Sequence, residues 1–311
     1  MLQLAIGLML GLVAGAYALQ GIHLPDVWDI LGRTHLWAVA LSLALVVATQ
    51  PVKALRWQLL FGLPNQLPFG QALRGLLIGQ AVNLLLPARA GDFARAYLVG
   101  RRLPPGSVFT FYTVLVEKVF DVFMLAVCLA ALLWWGPWPA WVSRSGLVVS
   151  ALSVVLVAVG LLGASVSCRE WGQGKLRALP SLRWLTGHVL QPASDMAGSL
   201  VAAWQDGRLV HIILCSVLVW GLGAATNWAV LASLDLPVHW SAAISILAAV
   251  YVGVVVPGPP GRVGVFHYLM LLVLAAYGVT PSQALACGVL LHLVVVVPAL
   301  LAGSLAAWVM A

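Results

Sequence analysis

Charge is what this chain has least of. Asp, Glu, Lys and Arg make up only 8% of its 311 residues, while 62% are hydrophobic; a soluble domain is nearer a quarter charged and half apolar. No core of this size hides so much apolar surface from water, which excludes an ordinary soluble globular protein and makes lipid the solvent. Strict alternation of apolar and polar residues is also missing. The apolar runs are long and unbroken, which excludes a β-barrel. Cys128, Cys168, Cys215 and Cys287 are scattered, with no metal or redox spacing, and are read as small buried hydrophobes. No His, Cys or Asp cluster has the spacing of metal ligands. Gly172-Gln-Gly174-Lys175 lacks the length and the Ser or Thr of a phosphate loop, and no Gly-x-Ser-x-Gly element occurs. The expectation is therefore a protein without a cofactor or metal, without catalytic residues, and not an enzyme. The net charge of +7 sits in loops and helix ends rather than on a soluble basic surface, so the expected partner is anionic lipid and not nucleic acid.

What is present is a motif that occurs twice. Residues 83–98 read NLLLPARAGDFARAYL and residues 253–269 read GVVVPGPPGRVGVFHYL. Each is an apolar run stopped by a Pro-x-x-x-Gly break, Pro87 to Gly91 and Pro257 to Gly261. Trp57 precedes the first break and Trp228 the second at nearly the same distance, with Leu67-Pro68-Phe69 and Leu236-Pro237-Val238 in between. This spacing points to an internal duplication with a broken hydrophobic helix at the same place in each half. In membrane proteins that is where a substrate path is commonly built.

The fold class read from this pattern is an all-α polytopic membrane protein. It has about six full spans plus two re-entrant, broken-helix hairpins arranged as inverted-topology repeats. Spans are expected at 2–20, 36–61, 107–133, 146–166, 208–234 and 282–310, and hairpins at 69–102 and 239–278. The second arm of the first hairpin is too short to cross a ~30 Å core; that of the second leaves open a pair of full spans. The whole of 1–311 reads as one transmembrane domain. Its repeats are about 36–133 and 208–310, linked by a helix at 146–166 and an amphipathic segment at 167–207 that carries Trp171, Trp184 and Trp204. Every loop obeys the positive-inside rule if 88–106 and 167–208 are cytoplasmic and 21–35, 134–145 and Asp235 are outside. Both termini then face the cytoplasm, and the protein is integral to the cytoplasmic (inner) membrane. Gly7, Gly11 and Gly15 give the first helix one smooth face for close packing, which leaves a homodimer open.

Several residues carry the chemistry. A helix restarting at Gly91 or Gly261 aims N–H groups and its positive dipole end at the tip, which favours an anion such as a lipid phosphate. Arg89, Arg95 and Arg262 add full charges there, and the planar guanidinium suits phosphate. The alternative is that Arg89 and Arg95 only snorkel to headgroups. Glu117, Lys118 and Asp121 interrupt an apolar helix, with 117 and 121 on one face and 118 turned ~100° away. Uncompensated charges there cost several kcal/mol, so Arg89 or Arg95 are expected as partners. His267 and His292 fall in membrane helices, as packing residues or as a proton-sensitive gate. Lys53 and Arg56 read as anchors at a helix end, and Arg74 as an anchor or a headgroup contact.

With these residues in view, the chain resembles the flippase-like family formed by the transmembrane region of lysylphosphatidylglycerol synthases and their stand-alone relatives. The matching blocks are Asn83-Leu-Leu-Leu-Pro87-Ala-Arg89-Ala-Gly91-Asp92 with Arg95, then Glu117-Lys118-x-x-Asp121, then the segment from Pro257 through Gly261 and Gly264 to Phe266. The resemblance covers about 30–310. It implies a lipid substrate, bound by Asn83, Pro87, Arg89, Gly91, Asp92, Arg95, Pro257, Gly261, Arg262 and Gly264. Charge relay or gating would fall to Glu117, Lys118, Asp121, His267 and His292. The sequence departs from the family pattern at His267, where a Glu is usual, at His292, where an Arg is usual, and at Arg262, where a small residue is usual. A Glu–Arg pair is thereby replaced by two histidines. The chain has no room for an aminoacyl-transferase domain, so lysyl transfer is not expected. The leading expectation is a translocator of an anionic phospholipid or polyprenyl-linked glycolipid. The alternatives are a secondary transporter of a small anionic solute and a non-catalytic partner of a lipid-synthesis enzyme.

Overall fold

The computed structural model describes residues 2–19, 22–62, 67–86, 89–135, 191–236, 239–253 and 259–310. The expected helix at 146–166, the segment 167–207 up to residue 190, Pro87 and Pro257 lie outside the described residues. The described residues are helical, without strands. The helices are α1 (Leu2–Leu19), α2 (Leu24–Gly32), α3 (Leu36–Phe61), α4 (Phe69–Leu85), α5 (Ala90–Gly100), α6 (Gly106–Trp135), α7 (Gln191–Gln205), α8 (Arg208–Ser233), α9 (Trp240–Gly253), α10 (Val265–Ala275) and α11 (Pro281–Met310). A 3-10 turn, Pro260–Arg262, precedes α10. Helices α3, α8 and α11 are long and apolar enough to cross a membrane. With the composition, they make this an integral membrane protein.

The centre is the antiparallel pair α3 and α8. At one end the His35 N–H donates to the Ser233 carbonyl at 2.8 Å, and the His35 ring meets Asp235 at 2.7 Å. At the other end Arg208 Nη1 donates to the Leu59 carbonyl at 3.1 Å, and Ser199 in α7 donates to the Phe61 carbonyl at 3.3 Å. The last turn of α3 ends with carbonyls that no intrahelical N–H can reach, and residues from distant sequence satisfy two of them. Arg208 is itself steadied by Asp206, whose carboxylate it holds below the usual range through a hydrogen bond.

Two short helical hairpins flank this pair. In the first, α4 and α5 leave and return to the Phe61 end, where Trp57, Leu60, Phe61, Leu67, Ala72, Val99 and Phe109 form one buried cluster. In the second, α9 and α10 leave and return to the Ser233 end. There the Tyr277 hydroxyl bonds to Ser245 at 2.8 Å and to Ser241 at 3.2 Å. The hairpin bases therefore lie at opposite ends of the α3–α8 pair. The four arms have 17, 11, 14 and 11 residues. At 1.5 Å per residue they reach about 26, 17, 21 and 17 Å, short of a ~30 Å hydrocarbon core.

Close approach rather than bulk holds the arms. A side chain on Gly91 would collide with the Gly79 carbonyl and the Asn83 backbone nitrogen, so α4 and α5 meet backbone to backbone. Gly303 similarly seats α11 against Ala81 and the Leu77 carbonyl of α4. The glycine face of α1 packs within the chain, with Gly11 against Pro259 and Gly15 against Gly264. The stretch 21–35 contains a helix that the sequence reading did not single out. In α2, Pro25 sits in the first turn, where a missing N–H costs nothing, and Val27 packs against Leu285 and Ala286 of α11.

Candidate functional site: a buried ion-pair network beneath two broken helices

The network starts at the first break. Arg89 has a left-handed backbone, φ 55°, and caps α5. Its Nε donates to Asp92 Oδ2 at 3.1 Å. Asn83, one turn before the break, uses both ends of its amide. Its Oδ1 accepts the Gly91 N–H at 2.8 Å and its Nδ2 donates to Asp92 Oδ1 at 3.3 Å. The restart of α5 is thus capped by its own hairpin, and the Gly91 N–H expected to point at a ligand is already occupied. Asn83 positions the tip.

Asp92 passes the network on to Arg95, whose Nε lies 3.6 Å from Asp92 Oδ1 and whose Nη2 lies 2.9 Å from Glu117 Oε2. That last contact is at ion-pair distance without hydrogen-bond alignment, for Glu117 Oε2 has no hydrogen-bond donor among the described residues. Arg95 also stacks over the Trp57 ring, its guanidinium carbon 4.9 Å from the centroid. Trp57 is held in turn by an indole hydrogen bond to Thr113 at 2.9 Å. With a side chain 3% exposed, Arg95 does not snorkel.

The hub is Arg56. Its Nη2 donates to Glu117 Oε1 at 3.0 Å and its Nη1 to Asp121 Oδ1 at 2.8 Å, with Ser216 Oγ of α8 at 3.3 Å. Its side chain is 1% exposed, so Arg56 is no helix-end anchor. It ties α3 to two carboxylates one turn apart on α6, the planar fork matching their spacing. Lys118 closes the series, 3.6 Å from Asp121 Oδ2 and half-exposed, as its turn away from the 117–121 face implies. Of the two arginines expected beside Glu117, Arg95 lies at its carboxylate and Arg89 engages Asp92 instead. Arg56 was the residue missed. The available signal was that Glu117 and Asp121 share a face and need a cation from a neighbouring long helix.

The second break is built differently. Arg262, again left-handed at φ 56°, ends the 3-10 turn. The new helix starts after Gly264 and not at Gly261. Gly264, at φ 89°, lies where an added Cβ would strike the Gly11 carbonyl. The two histidines come together here, rings 5.2 Å apart and edge to face. Each holds the backbone of the break. The Gly264 N–H donates to His267 Nδ1 at 3.4 Å, and His292 Nε2 donates to the Gly261 carbonyl at 2.8 Å. Phe266 stacks on His292. The 260–262 turn packs against α4, and Arg262 lies within electrostatic reach of Arg89 and Asp92. The second break therefore lies against the first hairpin. Among the described residues no group of three or more His, Cys, Asp or Glu side chains could hold a metal ion.

Broken helices above a buried ion-pair network, in an apolar all-helical scaffold, define an integral membrane protein with a polar interior. The comparison with known proteins gives this class a family. Residues 2–303 match the lysylphosphatidylglycerol synthase TM region, and the chain belongs to that family. A curated relative is the protein named Glycosyltransferase AglD of Haloferax volcanii, 29% identical over 327 aligned residues that cover 93% of this chain. The match takes up 51% of that protein, so the chain spans about half the length of the relative it matches.

Proposed function

We propose that this protein is a lipid translocator that moves an anionic phospholipid or a polyprenyl-linked glycolipid between membrane leaflets. The observation that carries the reading is the packing of the second break against the first of two short hairpins, which are based at opposite ends of the α3–α8 pair and each carry an arginine at the break. The headgroup passes Arg89 and Arg262 while the acyl chains stay in lipid. Asn83, Gly91, Asp92, Gly261 and Gly264 shape the two breaks, Pro87 and Pro257 join them on the sequence alone, and Arg95 with Glu117 and Asp121 forms the floor. Lys118 and the His267–His292 pair act in relay or gating. Membership of a family defined on the membrane region of a lipid synthase supports a lipid substrate.

The same geometry supports inverted-topology repeats over about 36–133 and 208–310. Helices of 26, 17, 11 and 30 residues on one side are followed by 26, 14, 11 and 30 on the other. The first member of each set, α3 and α8, run antiparallel to each other. Inverted repeats are related by a pseudo-twofold axis in the membrane plane, which gives two half-pathways, one from each side. The α5–α6 junction carries Arg101 and Arg102, and charge bias supports a cytoplasmic side for it and for both termini, in an inner membrane.

The test is reconstitution into liposomes carrying fluorescent lipids of several headgroups. Acceleration of at least one headgroup across the bilayer is expected; no change for any of them would remove the reading. A second reading, a non-catalytic membrane partner of a lipid-modifying enzyme, is favoured by the match to half of a protein named as a glycosyltransferase. It predicts stable co-purification with that enzyme and no lipid movement by the protein alone.

A further inference from the structure

The polar interior is not balanced in charge. Arg89, Arg95, Arg56 and Lys118 form one continuous series with Asp92, Glu117 and Asp121. Lys53 lies within electrostatic reach of Arg56, Asp121, Lys118 and Glu117, and Arg262 within reach of Arg89 and Asp92. Among the described residues, six cationic side chains thus stand with three carboxylates, an excess of three. Counting Lys53 as neutral still leaves two. A membrane interior penalises such an excess unless an anion joins it.

The unused donors gather at the breaks. Among the described residues, Arg89 spends only its Nε, on Asp92. Arg95 Nη1 is buried and has no hydrogen-bond partner among the described residues. Arg262 has no ion pair among the described residues. Asp92 cannot serve them all, since it already receives Asn83, Arg89 and Arg95. Arg89 and Arg262 are moreover two arginines of left-handed backbone, a conformation in which a β-carbon is strained. Two like charges brought together on strained backbone make sense as the walls of an anion site.

We propose that the two breaks together bind a phosphate carrying at least two negative charges, a phosphomonoester or diphosphate, clamped between Arg89 of one hairpin and Arg262 of the other. A singly charged phosphodiester leaves part of the excess uncompensated and binds more weakly. The inference deepens the lipid-pathway reading and rests on it only for the source of the phosphate, which is a lipid headgroup.

The test is native mass spectrometry of the purified protein at pH 8, where a phosphomonoester carries about two charges because its second pKa is near 6. Phosphatidic acid competes with phosphatidylglycerol of the same acyl chains, and inorganic pyrophosphate is assayed separately by thermal stabilisation. The expected result is retention of phosphatidic acid over phosphatidylglycerol by about tenfold or more, a difference readily resolved in competition. Arg89→Gln and Arg262→Gln should bring the two lipids level while leaving the Arg56 pairs in place. Equal retention by the wild-type protein without stabilisation by pyrophosphate, or a preference that survives both substitutions, overturns the proposal. Stabilisation by pyrophosphate with no lipid preference overturns the headgroup assignment and gives the site to a soluble phosphate. Preference in binding without movement in liposomes would instead count against translocation and leave the site standing.

Discussion

Arg56 and Asp121 face each other at 2.8 Å across the α3–α6 contact, and the same guanidinium holds Glu117 with its other terminal nitrogen. Removing one member of a buried, hydrogen-bonded ion pair leaves the other charge uncompensated and costs about 3–5 kcal/mol. Arg56→Met is therefore expected to lower the unfolding temperature steeply in detergent. Arg56→Lys should rescue little, because an ammonium cannot serve two carboxylates as a fork does. Thermal unfolding followed by tryptophan fluorescence measures both.

Gly91 is expected to tolerate no side chain. A methyl group there meets the Gly79 carbonyl and the Asn83 nitrogen, both backbone atoms that cannot swing aside. Overpacking of this kind costs about 1–3 kcal/mol or more. Gly91→Ala should destabilise clearly, whereas Gly198→Ala, where nothing lies within 4 Å, should not. Parallel melting curves of the two variants decide the matter.

Asn83 is expected to act through the shape of the tip. Asn83→Leu removes the acceptor of the Gly91 N–H and one donor to Asp92. A buried group left without its partner costs about 1–3 kcal/mol. Hydrogen exchange at the start of α5 should quicken in this variant, while exchange in α8 should stay unchanged.

His292 separates packing from hydrogen bonding. His292→Phe keeps an aromatic ring against Phe266 but leaves the Gly261 carbonyl without its donor. His292→Gln keeps a donor without the ring. Greater loss of stability in the phenylalanine variant is expected, by about 1–3 kcal/mol. The reverse order would make ring stacking the dominant contribution.

Much of the helix pattern was legible in the sequence. Spans expected at 36–61, 208–234 and 282–310 appear as Leu36–Phe61, Arg208–Ser233 and Pro281–Met310. Long apolar runs bounded by Gly, Pro and charge leave little ambiguity in register. The short second arm of the first hairpin, after Pro87, was also readable from its length. Partnerships across the chain were not. Arg56 near a helix end looks the same in sequence whether it snorkels or pairs, and only the placement of α6 decides. The capping of Gly91 by Asn83 was likewise hidden, because it depends on backbone contact at Gly79. At the second break Pro-x-x-x-Gly marked the interruption, but the restart moved three residues on to Gly264, where the close approach of Gly11 excludes a side chain. Trp57 and Trp228, equivalent in spacing, differ in environment, one fully buried and the other half-exposed.

The central claim is that a lipid headgroup crosses the membrane at the two breaks. The most direct measurement is the rate of labelled-lipid translocation in liposomes by the wild-type protein and by Arg89→Gln, Arg262→Gln and the double variant, each first shown to melt like the wild type. The account predicts rapid movement by the wild type and slowing of about tenfold or more in the double variant, equivalent to roughly 1.4 kcal/mol on the barrier. Equal rates for all four proteins would contradict it.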